Sequence, residues 1–207
     1  HDDFYFCPDW DIVLLNELKN INNNLFYLSG TMVQNGQVKL NCGDSLSNFN
    51  ENKLLDEYKN IKFHDFQGST WAPHLIHKEL WNKVGGFSEE FNPGIGSDPD
   101  LNMKLWISGV RIFKGLSKCR VYHFGSVSLR KKINLKRNRG SDIFLKKWGI
   151  SIDFFLKFYL NGNYFKNNKI FTHKYLGPLN EPKKNFFFYF SLLICKINLF
   201  YIKFFKS

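Results

Sequence analysis

Apolar positions recur along this chain with two periods. Trp10, Val13, Leu14 and Leu18 fall on one helical face behind Asp9, a residue type that caps helices. The spacing therefore predicts a helix from Asp9 to about Asn20, broken by the Asn22–Asn24 run. Leu25–Val33 is a short, nearly continuous apolar run and predicts a buried strand, with a turn at Asn35-Gly36. Residues 41–60 are polar and Asn-rich and read as a surface excursion with a short helix near Asn52–Tyr58. A strand over Ser69–His77 is predicted to run into a helix over Lys78–Val84, which Gly85 and Gly86 close.

The next stretch, Asn92 to Leu101, is a loop that becomes a helix. Gly94 and Gly96 permit close backbone approach or positive φ. Ser97 reads as an N-cap with Asp100 as the acidic half of a capping box, and Pro99 suits a first helical turn. Leu101 and Leu105 share a face, and Gly109 ends the helix. Val110–Phe113 and Cys119–Ser126 then read as two strands. Short helices are predicted over Ser141–Trp148 and Ile152–Leu160, around Gly149, and Pro178 and Pro182 mark a linker. Phe186–Phe205 is almost wholly apolar or aromatic. Lys196 falls in its middle, which favours a helix lying in a membrane interface over one that crosses the bilayer, with a core or dimer-forming helix as the alternative.

Charge divides the chain. Residues 1–125 hold 12 Lys/Arg and 15 Asp/Glu, a balance of −3, whereas residues 126–207 hold 17 and 3, a balance of +14. The basic part contains Arg130-Lys131-Lys132 and Lys136-Arg137-Asn138-Arg139, and such a tail suits a polyanionic surface. Four scattered cysteines, Cys7, Cys42, Cys119 and Cys195, lack metal-ligand spacing and predict free thiols in a reducing cytoplasm. No Walker-type loop, GxGxxG or Gly-x-Ser-x-Gly elbow is present, so ATPase and serine-hydrolase chemistry lack support. The chain opens on His1 and its first residues read as the inside of a domain, which predicts a piece of a longer chain.

Several residues carry candidate chemistry. Asp2 and Asp3 are adjacent carboxylates at a predicted strand end; they repel unless a cation or donor groups share the site, and a hard divalent metal with a bound diphosphate is one solution. A surface turn is the plain alternative. Trp71 and His74 are placed to line a sugar site, against core packing as the alternative. His123 stands at a strand end before Gly125, where a structural histidine competes with a metal or phosphate ligand. Asp98 and Asp100 sit at a helix mouth, where they favour the helix dipole whether or not they react.

Taken in order, the segments Asp-Asp-Phe-Tyr-Phe-Cys-Pro-Asp-Trp-Asp, Trp-Ala-Pro-His-Leu-Ile-His, Val-Gly-Gly-Phe-Ser-Glu-Glu-Phe, Gly-Ser-Asp-Pro-Asp-Leu-Asn-Met-Lys-Leu-Trp and Val-Tyr-His-Phe-Gly-Ser resemble family 2 glycosyltransferases of the GT-A fold. The resemblance covers residues 1–126 and begins at the family's metal motif, so it implies the C-terminal part of such a domain, without the nucleotide-binding half. It implies an α/β fold, a partial GT-A mixed sheet with flanking helices, followed by a basic helical extension over 127–207 whose terminal helix spans 186–205. Asp3 would ligate Mg²⁺ or Mn²⁺ and Asp2 would contact the donor or the metal. His123 would also serve the metal or the diphosphate. Asp98 would be the catalytic base, with Asp100 in reserve. Trp71, His74, Gly85 and Gly86 would lie near the acceptor and donor sugar. The chain has Ser97-Asp98 where many relatives have Glu-Asp, and no Gln-x-x-Arg-Trp follows, which points to single-addition enzymes.

The expected function is metal-dependent, inverting transfer of a sugar from a nucleotide-sugar donor to a glycan or lipid-linked acceptor, in cell-surface polysaccharide or glycolipid synthesis. The expected location is the cytoplasmic membrane face, with peripheral contact through the last helix. A non-catalytic glycan- or membrane-binding module is the competing class. Nucleic-acid binding ranks last, because the basic cluster lacks interleaved aromatics.

Overall fold

The structure, a computed structural model, describes residues 3–68, 73–125, 139–162 and 173–205. Among these residues the chain is mixed α/β, with one mixed sheet and seven helices. In chain order the elements are β1 (Phe4–Phe6), α1 (Trp10–Leu18), β2 (Phe26–Gln34), α2 (Glu51–Glu57), β3 (Phe66–Gln67), β4 (His74–Ile76), α3 (Lys78–Val84), α4 (Ser97–Ile107), β5 (Ile112–His123), α5 (Gly140–Trp148), α6 (Ile152–Phe158) and α7 (Phe186–Phe205). Asp2, Trp71 and the basic residues Arg130–Arg137 lie outside the described residues.

The sheet is built on β2 and β5, which pair in parallel from Phe26↔Ile112 to Gln34↔His123. Beyond β2 lies β4, antiparallel, with Ser29 opposite His74. The outer edge of β5 is shared: β3 covers Lys114 and Gly115, and β1 covers Val121–His123. Alternation along β2 splits the core between two faces. Tyr27 turns toward Phe113, α4 and the C-terminal helices, while Phe26 and Leu28 join Leu116 and Leu14 of α1. A third cluster joins Cys7, Val33, Cys42, Leu54, Tyr58 and Tyr122. Each fully buried side chain of this size contributes about 1.5–3 kcal/mol relative to exposure.

Several expectations need correction. Val110–Phe113 and Cys119–Ser126 are not two strands but belong largely to one, β5. A bulge of three extra residues, Ser117–Cys119, lets β5 keep its partner β2, whose register passes from Gly30↔Leu116 to Thr31↔Arg120. Between the two predicted segments, Lys114, Gly115, Ser117 and Lys118 interrupt the apolar pattern. Ser97 does not cap α4. Gly96 occupies the cap position at φ 91°, and Ser97 is the first helical residue, its hydroxyl donating to the Gly94 carbonyl at 2.6 Å. Asp9 likewise makes no capping bond, because it takes a left-handed conformation ahead of α1. The 41–60 excursion is anchored rather than peripheral, since Cys42, Leu54 and Tyr58 are buried.

The stretch read as a linker is a strap. Leu179 N–H donates to the Arg111 carbonyl at 2.8 Å, and the Arg111 guanidinium pairs with Glu181 and stacks 3.9 Å from the Trp106 ring centre. Elsewhere the pattern holds. Gly109 ends α4 by donating to Trp106 O, while Val110 N–H reaches Leu105 O, the paired bonds of a Schellman turn. α7 occupies the predicted range. Phe188, Cys195 and Ile202, with Leu192 and Leu199, form its inward stripe at helical spacing; Phe188 packs on the Phe154 and Phe158 rings of α6. All four cysteines are free thiols and buried.

Candidate functional site

Two polar foci hold most of the residues that the sequence singled out. The first joins the two ends of the sheet's outer edge. Pairing of Phe4 with His123 brings Asp3 against the end of β5, where Asp3 Oδ2 lies 3.1 Å from His123 Nε2. Both side chains are largely buried, at 6% and 17% exposure. The imidazole is held on its other side. His123 Nδ1 lies 3.0 Å from the Asn35 carbonyl, Asn35 Nδ2 donates to the His123 carbonyl at 2.8 Å, and Phe4 packs edge-on at 5.0 Å.

This arrangement constrains the proton. A carbonyl oxygen only accepts, so Nδ1 must carry hydrogen and donate to Asn35 O. In the neutral ring Nε2 then presents a lone pair to a carboxylate oxygen. That contact turns favourable when a cation, whether a proton or a metal ion, is shared between the two. A histidine whose remote N–H is fixed by a backbone carbonyl is the usual arrangement of a metal-ligating imidazole. A carboxylate oxygen is a ligand for hard ions such as Mg²⁺ or Mn²⁺, and an imidazole nitrogen beside it is a ligand for softer divalent ions, so the pair can hold one divalent ion only with further donors. Among the described residues no group of three His, Cys, Asp or Glu side chains converges on one point.

The second focus lies where α4 begins. His74 on β4 packs at a tilt against Tyr27, 5.1 Å between ring centres, and its Nε2 is 3.6 Å from Asp98 Oδ1. The Asp98 side chain is 28% exposed, so one side remains open while protein surrounds the rest. Burial pushes its carboxyl up to about 7. Asn102 donates to the Asp98 carbonyl at 2.8 Å, and Tyr27 Oη and Asn102 Oδ1 are buried without well-formed hydrogen bonds. Loss of water around the carboxylate is the cause of the rise.

Asp100, two residues further into α4, is occupied differently. It is fully buried; Ser88 Oγ donates to it at 2.6 Å, Trp148 Nε1 at 2.8 Å, and Lys147 Nζ lies at 2.9 Å. Its oxygens tie α4 to α5 and to the loop after α3, which leaves Asp98 as the outward carboxylate. Gly85 closes α3 in the left-handed conformation at φ 71°, and Gly86 offers its carbonyl to Lys104. Their turn sets Phe87 beside Trp81 and near His74, with ring centres 5.6 and 6.2 Å apart. Phe87 is 45% exposed and gives the Asp98 mouth an aromatic wall.

Asp3 therefore meets His123, and Asp98 meets His74. The two pairs touch β2 at different places, through Gln34 and Ser29, separated by roughly 16 Å of extended strand. One metal ion does not span that distance, so they are separate foci that a larger ligand would have to bridge. Reading the sequence alone missed the Asn35 brace on His123, the His74–Asp98 contact and the Asp100–Trp148 tie. Each depends on strand register or helix packing and leaves no local signal. Comparison with family models, with curated proteins and with solved structures finds no match.

Asp98 also predicts a pH dependence. Its folded value, about 7, lies above the ordinary 3.8, so the folded state holds the proton more tightly. This contribution is complete below pH 4 and is lost as pH rises toward 7. Urea midpoints across pH 4–8 are expected to fall with pH in that window for the native protein. Asp98→Asn is expected to flatten that slope and to be the more stable form above pH 7. An unchanged slope in the variant would contradict the assignment.

Proposed function

We propose that this chain belongs to a metal-dependent glycosyltransferase of the GT-A type, which moves a sugar from a nucleotide-activated donor to a hydroxyl of a glycan or lipid-linked acceptor with inversion. The observation that carries the reading is the Asp3–His123 contact with its imidazole braced by the Asn35 carbonyl. That pair falls on the two motifs which the resemblance assigns to the metal and the diphosphate.

Asp3 and His123 would hold Mg²⁺ or Mn²⁺, whose positive charge favours departure of the nucleoside diphosphate. Asp98 is the base. A carboxylate that protonates near pH 7 is matched to accepting a proton from a hydroxyl at neutral pH. As the acceptor oxygen forms its bond to the anomeric carbon, the bond from that carbon to the diphosphate oxygen breaks, and the acceptor proton passes to Asp98. His74 orients the Asp98 carboxylate from the side, and Phe87 offers an apolar face to the sugar ring. Asp100 keeps the α4 mouth in place through Trp148 and Lys147.

The same reading sets the protein on a membrane surface. α7 is 20 residues long and apolar enough to cross a bilayer, with 17% of its most apolar window buried. Its inward stripe docks on α6, so crossing would require that edge to unpack. The opposite side exposes Phe187, Phe190, Ile197, Phe200 and Phe204, each at 53% or more. An apolar face of this extent, with Lys183, Lys184, Lys196 and Lys203 near it, suits a helix lying in the plane of an anionic interface.

Two measurements test the reading. With the full-length protein and Mn²⁺, hydrolysis or transfer of a panel of nucleotide sugars is expected, falling by about 10²–10⁴-fold in Asp98→Asn and in Asp3→Ala. Unchanged turnover in both variants would refute the mechanism, and absence of turnover in the native protein would leave a non-catalytic binding module. In flotation with phosphatidylglycerol vesicles, the native protein is expected to rise with the lipid and Phe190→Glu/Phe200→Glu to stay behind. Equal flotation would remove α7 as the anchor.

A further inference from the structure

Strand β5 carries two shielded cations on either side of its bulge, and the fold treats them differently. Before the bulge, Lys114 lies between Glu17 at 2.7 Å and Asp65 at 3.1 Å, so its charge is closed by two carboxylates. After the bulge, Arg120 is 6% exposed, and its partners are carbonyls only. Nε donates to Ser117 O at 2.9 Å and Nη2 to Ile61 O at 2.7 Å. Among the described residues no carboxylate stands within ion-pairing distance of it. A guanidinium has five N–H groups, and a charge taken out of water without a counter-ion is costly to keep.

Arg120 lines a cavity of about 500 Å³ between the start of α1, the turn that follows α2, and the β5 bulge. Lys62 and Lys118 stand on the same wall. Lys59 is there too, engaged 3.8 Å from Asp9, the one acidic side chain of the lining. At its edge Tyr58 is buried, and its hydroxyl has no hydrogen-bond partner among the described residues. The wall is rigid, because Ser117 N–H and Oγ both donate to Asp65 Oδ1 at 2.9 Å and fix the bulge whose carbonyl holds Arg120.

We infer that this cavity is a binding site for the diphosphate group of a soluble small molecule. Arg120 supplies a planar fork of donors, and Lys62 and Lys118 supply point charges. Three cations without an acidic partner among the described residues match a di- or trianion better than a single carboxylate, and the volume accommodates a diphosphate with a small substituent. The site is distinct from the Asp3–His123 pair. Arg120 and His123 are three residues apart on one strand, so their side chains leave opposite sides of the pleat. The inference thus goes beyond the transferase reading and does not depend on a metal.

The test uses the full-length protein in EDTA at low salt, titrated with sodium pyrophosphate in a calorimeter. Saturable binding of one pyrophosphate per chain is expected. Lys62→Ala/Lys118→Ala, exposed positions whose loss leaves the fold intact by circular dichroism, is expected to weaken it at least about tenfold. Arg120→Lys keeps the charge but loses the fork and is expected to weaken it as well. Asp3→Asn is expected to bind as the native protein does. Phosphatidylglycerol vesicles are expected not to displace the ligand. Absence of saturable binding, native affinity in the double lysine variant, loss in Asp3→Asn, or displacement by vesicles would each overturn the assignment.

Discussion

The parallel pairing of β2 with β5 is the constraint on which the remaining structure depends. Nine residue pairs join two strands that are far apart in sequence, and eight of the nine residues of β2 are buried. A parallel pair cannot be closed by a tight turn. The chain between the two strands therefore carries α2, β3, β4, α3 and α4, and the candidate residues lie on that crossover and at the strand ends. β4 hangs on β2 and brings His74; β1 hangs on the end of β5 and brings Asp3. If β5 slipped by one residue against β2, its side chains would exchange faces and the Asn35 brace on His123 would be lost.

Polar ties then settle what the hydrophobic clusters leave loose. Asp100 is the most heavily used. It collects donors from the loop after α3, from α4 itself and from α5, and so fixes the helix mouth from which Asp98 projects. The contrast between neighbouring carboxylates is one of environment. Asp100 is surrounded by cations and donors and is held in place by them, while Asp98 is desolvated and its carboxyl is pushed up to about 7. Two residues of one helical turn thus stand in opposite environments, one tied by donors and one desolvated.

Much of the fold was legible in the pattern of apolar positions. The α3 and α7 ranges, the α4 start and its Gly109 end, and the buried strand before Asn35-Gly36 follow from period and punctuation alone. What was not legible has a common physical cause. Ser97 and Asp9 carry capping side chains, but backbone conformation at Gly96 and at Asp9 itself decided the termini. β5 was read as two strands because its bulge places Ser117, Lys118 and Cys119 out of alternation, although pairing with β2 continues across it. Of the candidate site, Asp3, Asp98 and His123 stood out by motif. Their partners did not, since His74 reaches Asp98 through sheet register and Asn35 reaches His123 across a strand pair. Arg120 had no signal at all: a lone arginine in a strand gives no hint that it lacks a counter-ion.

The central claim is that the Asp3 carboxylate and the His123 imidazole share a divalent cation. Electron paramagnetic resonance of Mn²⁺ titrated into the full-length protein tests it most directly. The account predicts one bound Mn²⁺ per chain, with affinity lowered by about 10–100-fold or more in His123→Gln and in Asp3→Asn and retained in Asp98→Asn. Mn²⁺ binding left intact by both His123→Gln and Asp3→Asn would contradict it.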